Sequence, residues 1–198
     1  MFHVKHDNVF VTKKSVPFNE KVDMVQHWIV VCNQDRAERF DEAGLTKALR
    51  GASLATLCKQ FGLNSSLVAP ALEHLRLEIV PADIAPFYAL HYQAGRRQPI
   101  LIQRWDVSRV DGSAVLDSYL DKSQSQVLTA HLGVTRQIWG VAILHAHLRD
   151  IGLVLAYEIA RWIAAQGRGI VRGLDGCWYR LNCYNAYVPL QPHAQDIP

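Results

Sequence analysis

The most apolar stretch of the chain, Ile138 to Ala165, limits the possible folds more than any other feature. Arg149, Asp150, Glu158 and Arg161 interrupt it, and its longest charge-free run, Ile138 to Leu148, is too short to cross a bilayer. The stretch must therefore be buried by other parts of the protein. Ile151, Leu155, Ile159 and Trp162 fall on one helical stripe, with Val154 and Ile163 beside them. This spacing predicts a long helical region from about Arg136 to Gln166. Gly167-Arg168-Gly169 should stop it, with a glycine taking the left-handed conformation.

The remainder of the chain supplies a covering layer. His27 to Cys32 is a short β-rich run that reads as a buried strand. Asp35 to Arg50 and Ser53 to Leu77 read as helices, closed by Pro81 and Pro86. Phe87 to Gln93 and Pro99 to Asp106 flank Ala94-Gly95-Arg96-Arg97 as a hairpin would. A helix around Ala114 to Asp121 and a polar linker, Lys122 to Gln126, follow. After the long helix, Ile170-Val171 and Cys177 to Val188 read as strands around a Leu174-Asp175-Gly176 turn.

Helices and strands do not alternate regularly. The expected class is α+β, an antiparallel or mixed sheet with helices packed mainly on one face. One domain spans 24–190, with a helical section at 35–80. Residues 1–23 form a loosely ordered lead-in and 191–198 a flexible tail.

The formal charge of +3 permits a nucleic-acid partner but lacks the dense basic cluster of a dedicated binder. Met1 to Lys14 carries charges where a signal peptide has a continuous apolar core, and the cytoplasm is the expected compartment. Cys32, Cys58, Cys177 and Cys183 form no C-x-x-C pair and read as reduced core residues.

Ser53 to Leu72 resembles the helix-turn-helix family. Cys58, Gly62 and Val68 occupy the small, turn-glycine and β-branched places of that pattern, and Leu57, Phe61, Leu63 and Leu72 supply its packing. The resemblance implies a helix pair and, as the alternative function, a DNA-binding regulator. The contacting residues would be Asn64, Ser65, Ser66 and Arg76. Pro70 falls several residues into the second helix and should bend it.

Asp150 to Leu181 shows an alanine-rich helix that ends at glycines, drops into an Ile-Val strand, turns at Asp-Gly and returns as Trp-Tyr-Arg-Leu. It is similar to a segment of bacterial polymorphic-toxin immunity proteins. That resemblance implies a protein that binds and neutralises a partner, with no chemistry of its own. Arg161, Asp175, Trp178, Tyr179 and Arg180 are the candidate interface residues, because Trp, Tyr and Arg dominate binding hot spots. Arg96, Arg97, Arg104 and Arg109 form the densest basic stretch, and Arg96 and Arg97 at the hairpin turn could meet phosphates or an acidic partner.

No catalytic motif emerges, and neither a cofactor nor a metal is expected. His145 and His147, one residue apart on an expected helix, would point to nearly opposite faces. Gly167-Arg168-Gly169 follows a helix, whereas a phosphate loop precedes one. Asp150, Glu158 and Asp175 could form an acid/base pair only if folding gathers them.

Overall fold

Alternation along Gln26–Asn33 (β1) sends Ile29 and Val31 to one side and Val30 and Cys32 to the other, and all four are buried. A strand covered on both faces belongs in the middle of a sheet. In the computed structural model, which describes residues 26–36, 40–81, 87–94, 98–120 and 125–190, β1 lies inside one eight-stranded sheet. The other strands are Arg76–Val80 (β2), Phe87–His91 (β3), Ile100–Asp106 (β4), Gln137–Leu144 (β5), Ile170–Arg172 (β6), Trp178–Leu181 (β7) and Tyr187–Pro189 (β8). Their order is β2-β3-β4-β5-β1-β6-β7-β8, and every pairing is antiparallel.

Four helices cover one face: Glu42–Gly51 (α1), Leu54–Gln60 (α2), Val68–Glu73 (α3) and Ile151–Gly167 (α6). Val110–Leu120 (α4) and Gln126–Gly133 (α5) cover part of the other. The class is α+β, with helices mainly on one face. On the α6 side Trp139, Val141 and Ile143 of β5 meet Leu155, Ile159 and Ile163 of α6 in the larger core. On the α4 side Ile138, Val30 and Cys32 meet Leu116, Leu128 and Leu132.

Several expectations fail for identifiable reasons. The long helix does not start at Arg136. Gln137–Leu144 is β5, and a 3-10 turn, His145–Arg149, separates it from α6. The first seven residues of β5 are buried, and a strand covered on both faces shows no alternation to betray it. The helix expected up to Leu77 ends at Glu73, and Arg76 and Leu77 open β2. α1 starts at Glu42, where the Asp41 side chain accepts the Gly44 N–H at 2.7 Å, and not at Asp35.

Within the helix pair, Gly62 takes φ +68°, as its turn role requires. The second member is a 3-10 turn, Ser65–Leu67, running into α3. Pro70 therefore sits in the first turn of α3, where its missing N–H leaves no gap, and no bend is needed. α5 replaces what reads in the sequence as the approach to a longer helix.

The stop at Gly167-Arg168-Gly169 is real, but Arg168 takes the left-handed conformation, at φ 50°. The glycines serve close approach instead. A Cβ on Gly167 would lie 2.3 Å from Asn33 Nδ2, and one on Gly169 would lie 2.1 Å from Asn33 Oδ1. Asn33 is buried at the end of β1 and donates to the Ile163 carbonyl at 3.1 Å. The Gly167 carbonyl accepts the N–H groups of Gln34 and Asp35, both at 3.0 Å. Together these bonds hold the end of α6 against the central strand.

Candidate functional site

The β7–β8 hairpin is built to present its loop. Asn182 Oδ1 accepts the N–H of Tyr184 at 2.9 Å and of Ala186 at 3.0 Å. The Asn182 N–H donates to the Ala186 carbonyl at 3.0 Å, and the Asn185 N–H to the Asn182 carbonyl at 2.9 Å. Asn185 adopts φ 56°, a conformation that asparagine tolerates better than most residues. With these bonds the loop backbone is fixed. At its apex Tyr184 is 86 % exposed, flanked by exposed Cys183, with exposed Arg180 on the strand that leads into the loop.

Beneath the hairpin, on the α6 side, tyrosines tie it to the body of the protein. Tyr187 donates its hydroxyl to the Tyr157 carbonyl at 2.7 Å, and the Leu174 N–H donates to the Tyr157 hydroxyl at 3.1 Å. Tyr179 donates to Asp175, whose other oxygen accepts the Cys177 N–H at 3.0 Å. Phe61, which caps the C-terminal end of α2, stacks on Tyr157, with ring centres 5.5 Å apart. On the opposite face Trp178 meets Tyr119 of α4 edge-on at 5.6 Å, and the Arg172 guanidinium sits 5.9 Å from the Tyr119 ring centre.

This geometry sorts the residues expected at an interface. Strand alternation sends Tyr179 to the α6 side and Trp178 and Arg180 to the α4 side, so they do not share one patch. Arg161 grips Glu158 through Nε at 2.9 and 3.0 Å and through Nη2. Glu158 is only 5 % exposed, so this half-buried arginine is committed to neutralising it. Asp175 is a turn anchor. Arg180 is exposed and available. Arg96 and Arg97 lie outside the described residues, as do the lead-in and the tail.

The residues expected at DNA are also redistributed. The Asn64 side chain caps the 3-10 turn by accepting the Ser66 N–H at 2.9 Å. Ser66 is exposed and Ser65 half-buried. Arg76 does not continue their helix. It pairs with His91 across β2–β3, while its neighbour Leu77 packs into the α6-side core, so Arg76 points to the opposite face from α2 and α3.

Asp150, Glu158 and Asp175 each have separate partners. Asp150 caps α6 by accepting the Gly152 N–H at 2.7 Å, and it receives the Tyr92 hydroxyl at 3.1 Å. His147 is fully buried against Tyr92. Its Nδ1 accepts the Leu144 N–H at 3.0 Å, so Nε2 carries the proton toward the Gln98 carbonyl at 3.0 Å. His145 is exposed, and its ring lies 6.2 Å from that of His27. Among the described residues no group of three or more His, Cys, Asp or Glu could hold a metal ion, and no helix is long and apolar enough to cross a membrane. Cys32 and Cys58 are buried as expected. Cys177 is half-buried and Cys183 is exposed on the hairpin loop, which corrects the reading of all four as core residues.

Burial pushes the hydroxyls of Tyr119 and Tyr157 up to about 12. It also raises Tyr187, and raises Tyr179 with help from its bond to Asp175. Above the ordinary value of 10.0, the unfolded chain releases protons that the folded chain keeps. Stability should then fall as pH rises from about 10 toward 12, by roughly 1.4 kcal/mol per pH unit each for Tyr119 and Tyr157. Urea midpoints measured on either side of pH 10 check this, and equal midpoints would contradict it.

The residues missed in the sequence are Tyr184 and Asn182. The available signal was the Asn-Cys-Tyr-Asn run between two alternating apolar stretches, which is turn chemistry. Compared with known proteins, the chain has no significant match to any family model, curated protein or solved structure.

Proposed function

We propose that the chain is a non-enzymatic protein-binding protein that grips its partner with the β7–β8 hairpin, in the manner of an immunity protein neutralising a cognate bacterial toxin. The observation that supports this reading is Tyr184, held out on a loop whose backbone Asn182 has already fixed. An exposed tyrosine on a pre-ordered loop offers a large contact area with little entropy left to lose on binding. Arg180, exposed on the same hairpin, adds a cation able to pair with an acidic patch.

The test is native capture with the product encoded beside this gene, followed by calorimetry on the complex. Tyr184→Ala should weaken binding about 30-fold or more, the equivalent of the ~2 kcal/mol of a hot-spot aromatic, and leave the melting temperature unchanged. Capture of no partner, or equal affinity for Tyr184→Ala, would sink the reading. Salt-sensitive, sequence-selective DNA binding would favour the helix-turn-helix alternative in its place.

A further inference from the structure

The two outer strands of the sheet are guarded differently. At the two ends of the β7–β8 pair, the N–H of Leu190 donates to the Trp178 carbonyl at 2.8 Å and that of Asn182 to the Ala186 carbonyl at 3.0 Å. By alternation, Tyr187 and Pro189 are the β8 residues whose backbone faces outward. Proline has no N–H to offer, so that edge lacks one of its two outward donors.

On β2 the guard is a side chain. The Leu77 N–H donates to Glu42 Oε2 at 2.7 Å, so Leu77 faces away from β3, and Ile79 faces the same way by alternation. Ile79 is 63 % exposed and Val80 is also exposed, an unusual pairing for an outer strand that has no other partner among the described residues. Glu42 stands in the first turn of α1, and replacing it disturbs no buried residue.

We propose that the β2 edge is a self-association site, that its occupant is β2 of a second copy, and that Glu42 is the stop that holds it closed. The charge pattern of the strand selects this occupant. Arg76 and Glu78 are two apart, both exposed, and on the same face. Two antiparallel copies centred on Leu77 place each Arg76 opposite Glu78 of the other copy, forming two cross-strand ion pairs. Ile79 then lies opposite Leu75, and the two Leu77 residues exchange backbone hydrogen bonds. That last exchange is the one Glu42 pre-empts. Glu78 also lies 3.4 Å from His91 Nε2, so its carboxylate is already held on the face where the pairing occurs.

Sedimentation of the full-length chain over a range of concentrations tests the proposal. Glu42→Ala should dimerise at least about tenfold more tightly than the parent, whereas Glu42→Gln, whose amide oxygen still accepts the Leu77 N–H, should behave as the parent does. Adding Arg76→Glu to Glu42→Ala sets like charges opposite one another and should abolish the dimer. Adding Arg76→Glu together with Glu78→Arg should restore it. Glu42→Ala no more associated than the parent, or a dimer indifferent to Arg76→Glu, would overturn the proposal. Tyr184→Ala added to Glu42→Ala should leave dimerisation intact, which separates this edge from partner binding by the hairpin.

Discussion

Arg161→Ala should lower the stability of the fold by about 2–3 kcal/mol, the cost of leaving the buried Glu158 carboxylate without its half-buried partner. Glu158 is 5 % exposed, on the buried side of α6. Its carboxylate has the Arg161 guanidinium at 2.9 and 3.0 Å, and alanine would leave that charge desolvated and alone. Removing both charges is a smaller perturbation. Arg161→Leu combined with Glu158→Leu should recover most of the loss, because apolar side chains replace the pair without an orphaned charge. Urea unfolding of the two single variants and the double variant measures this. A loss below about 1 kcal/mol for Arg161→Ala would show a pair that is solvated in practice. The result also bears on function. Any binding defect of Arg161→Ala reports on folding first, whereas Arg180 and Tyr184 can be altered without touching the core.

Gly169→Ala should cost about 3 kcal/mol, at the upper end of overpacking penalties. The added methyl would lie 2.1 Å from Asn33 Oδ1, an atom that is itself buried. Asn33 cannot swing aside without giving up its bond to the Ile163 carbonyl. In an Asn33→Ala background the same substitution should cost much less, since the nearest remaining contact is the Ala164 Cα at 3.2 Å. A double-mutant cycle by urea unfolding reads the coupling directly. Additive losses would show that Gly169 and Asn33 do not meet in solution.

These two positions show how much could be read before the structure. The stop at Gly167-Arg168-Gly169 was legible, because helices end at such runs. The reason for it was not, because the residue against which the glycines pack lies on β1, far away in the chain. β1 and the β3–β4 hairpin were legible from short-range alternation and turn residues. β5 was not, since burial on both faces erases alternation and its apolar run continues into α6. Leu77, Ile79 and Val80 carried a β signal that the preceding helical periodicity overrode. At the site, Trp178, Tyr179 and Arg180 were legible as residue types, but not as members of opposite faces until their strand was known. Tyr184 was overlooked because one aromatic in a loop has no periodicity, and only the asparagines around it marked a rigid turn.

The position of β1 has a consequence for how the chain assembles. Its two neighbours in the sheet, β5 and β6, are made roughly a hundred residues or more later. The β2–β3–β4 meander can close on itself from neighbouring sequence, but the segment at the centre of the finished sheet pairs only with strands far along the chain. Closing the sheet around β1 thus costs more loop entropy than closing the meander, and the α6 corner at Asn33, whose bond to Ile163 spans 130 residues, depends on the same long-range closure.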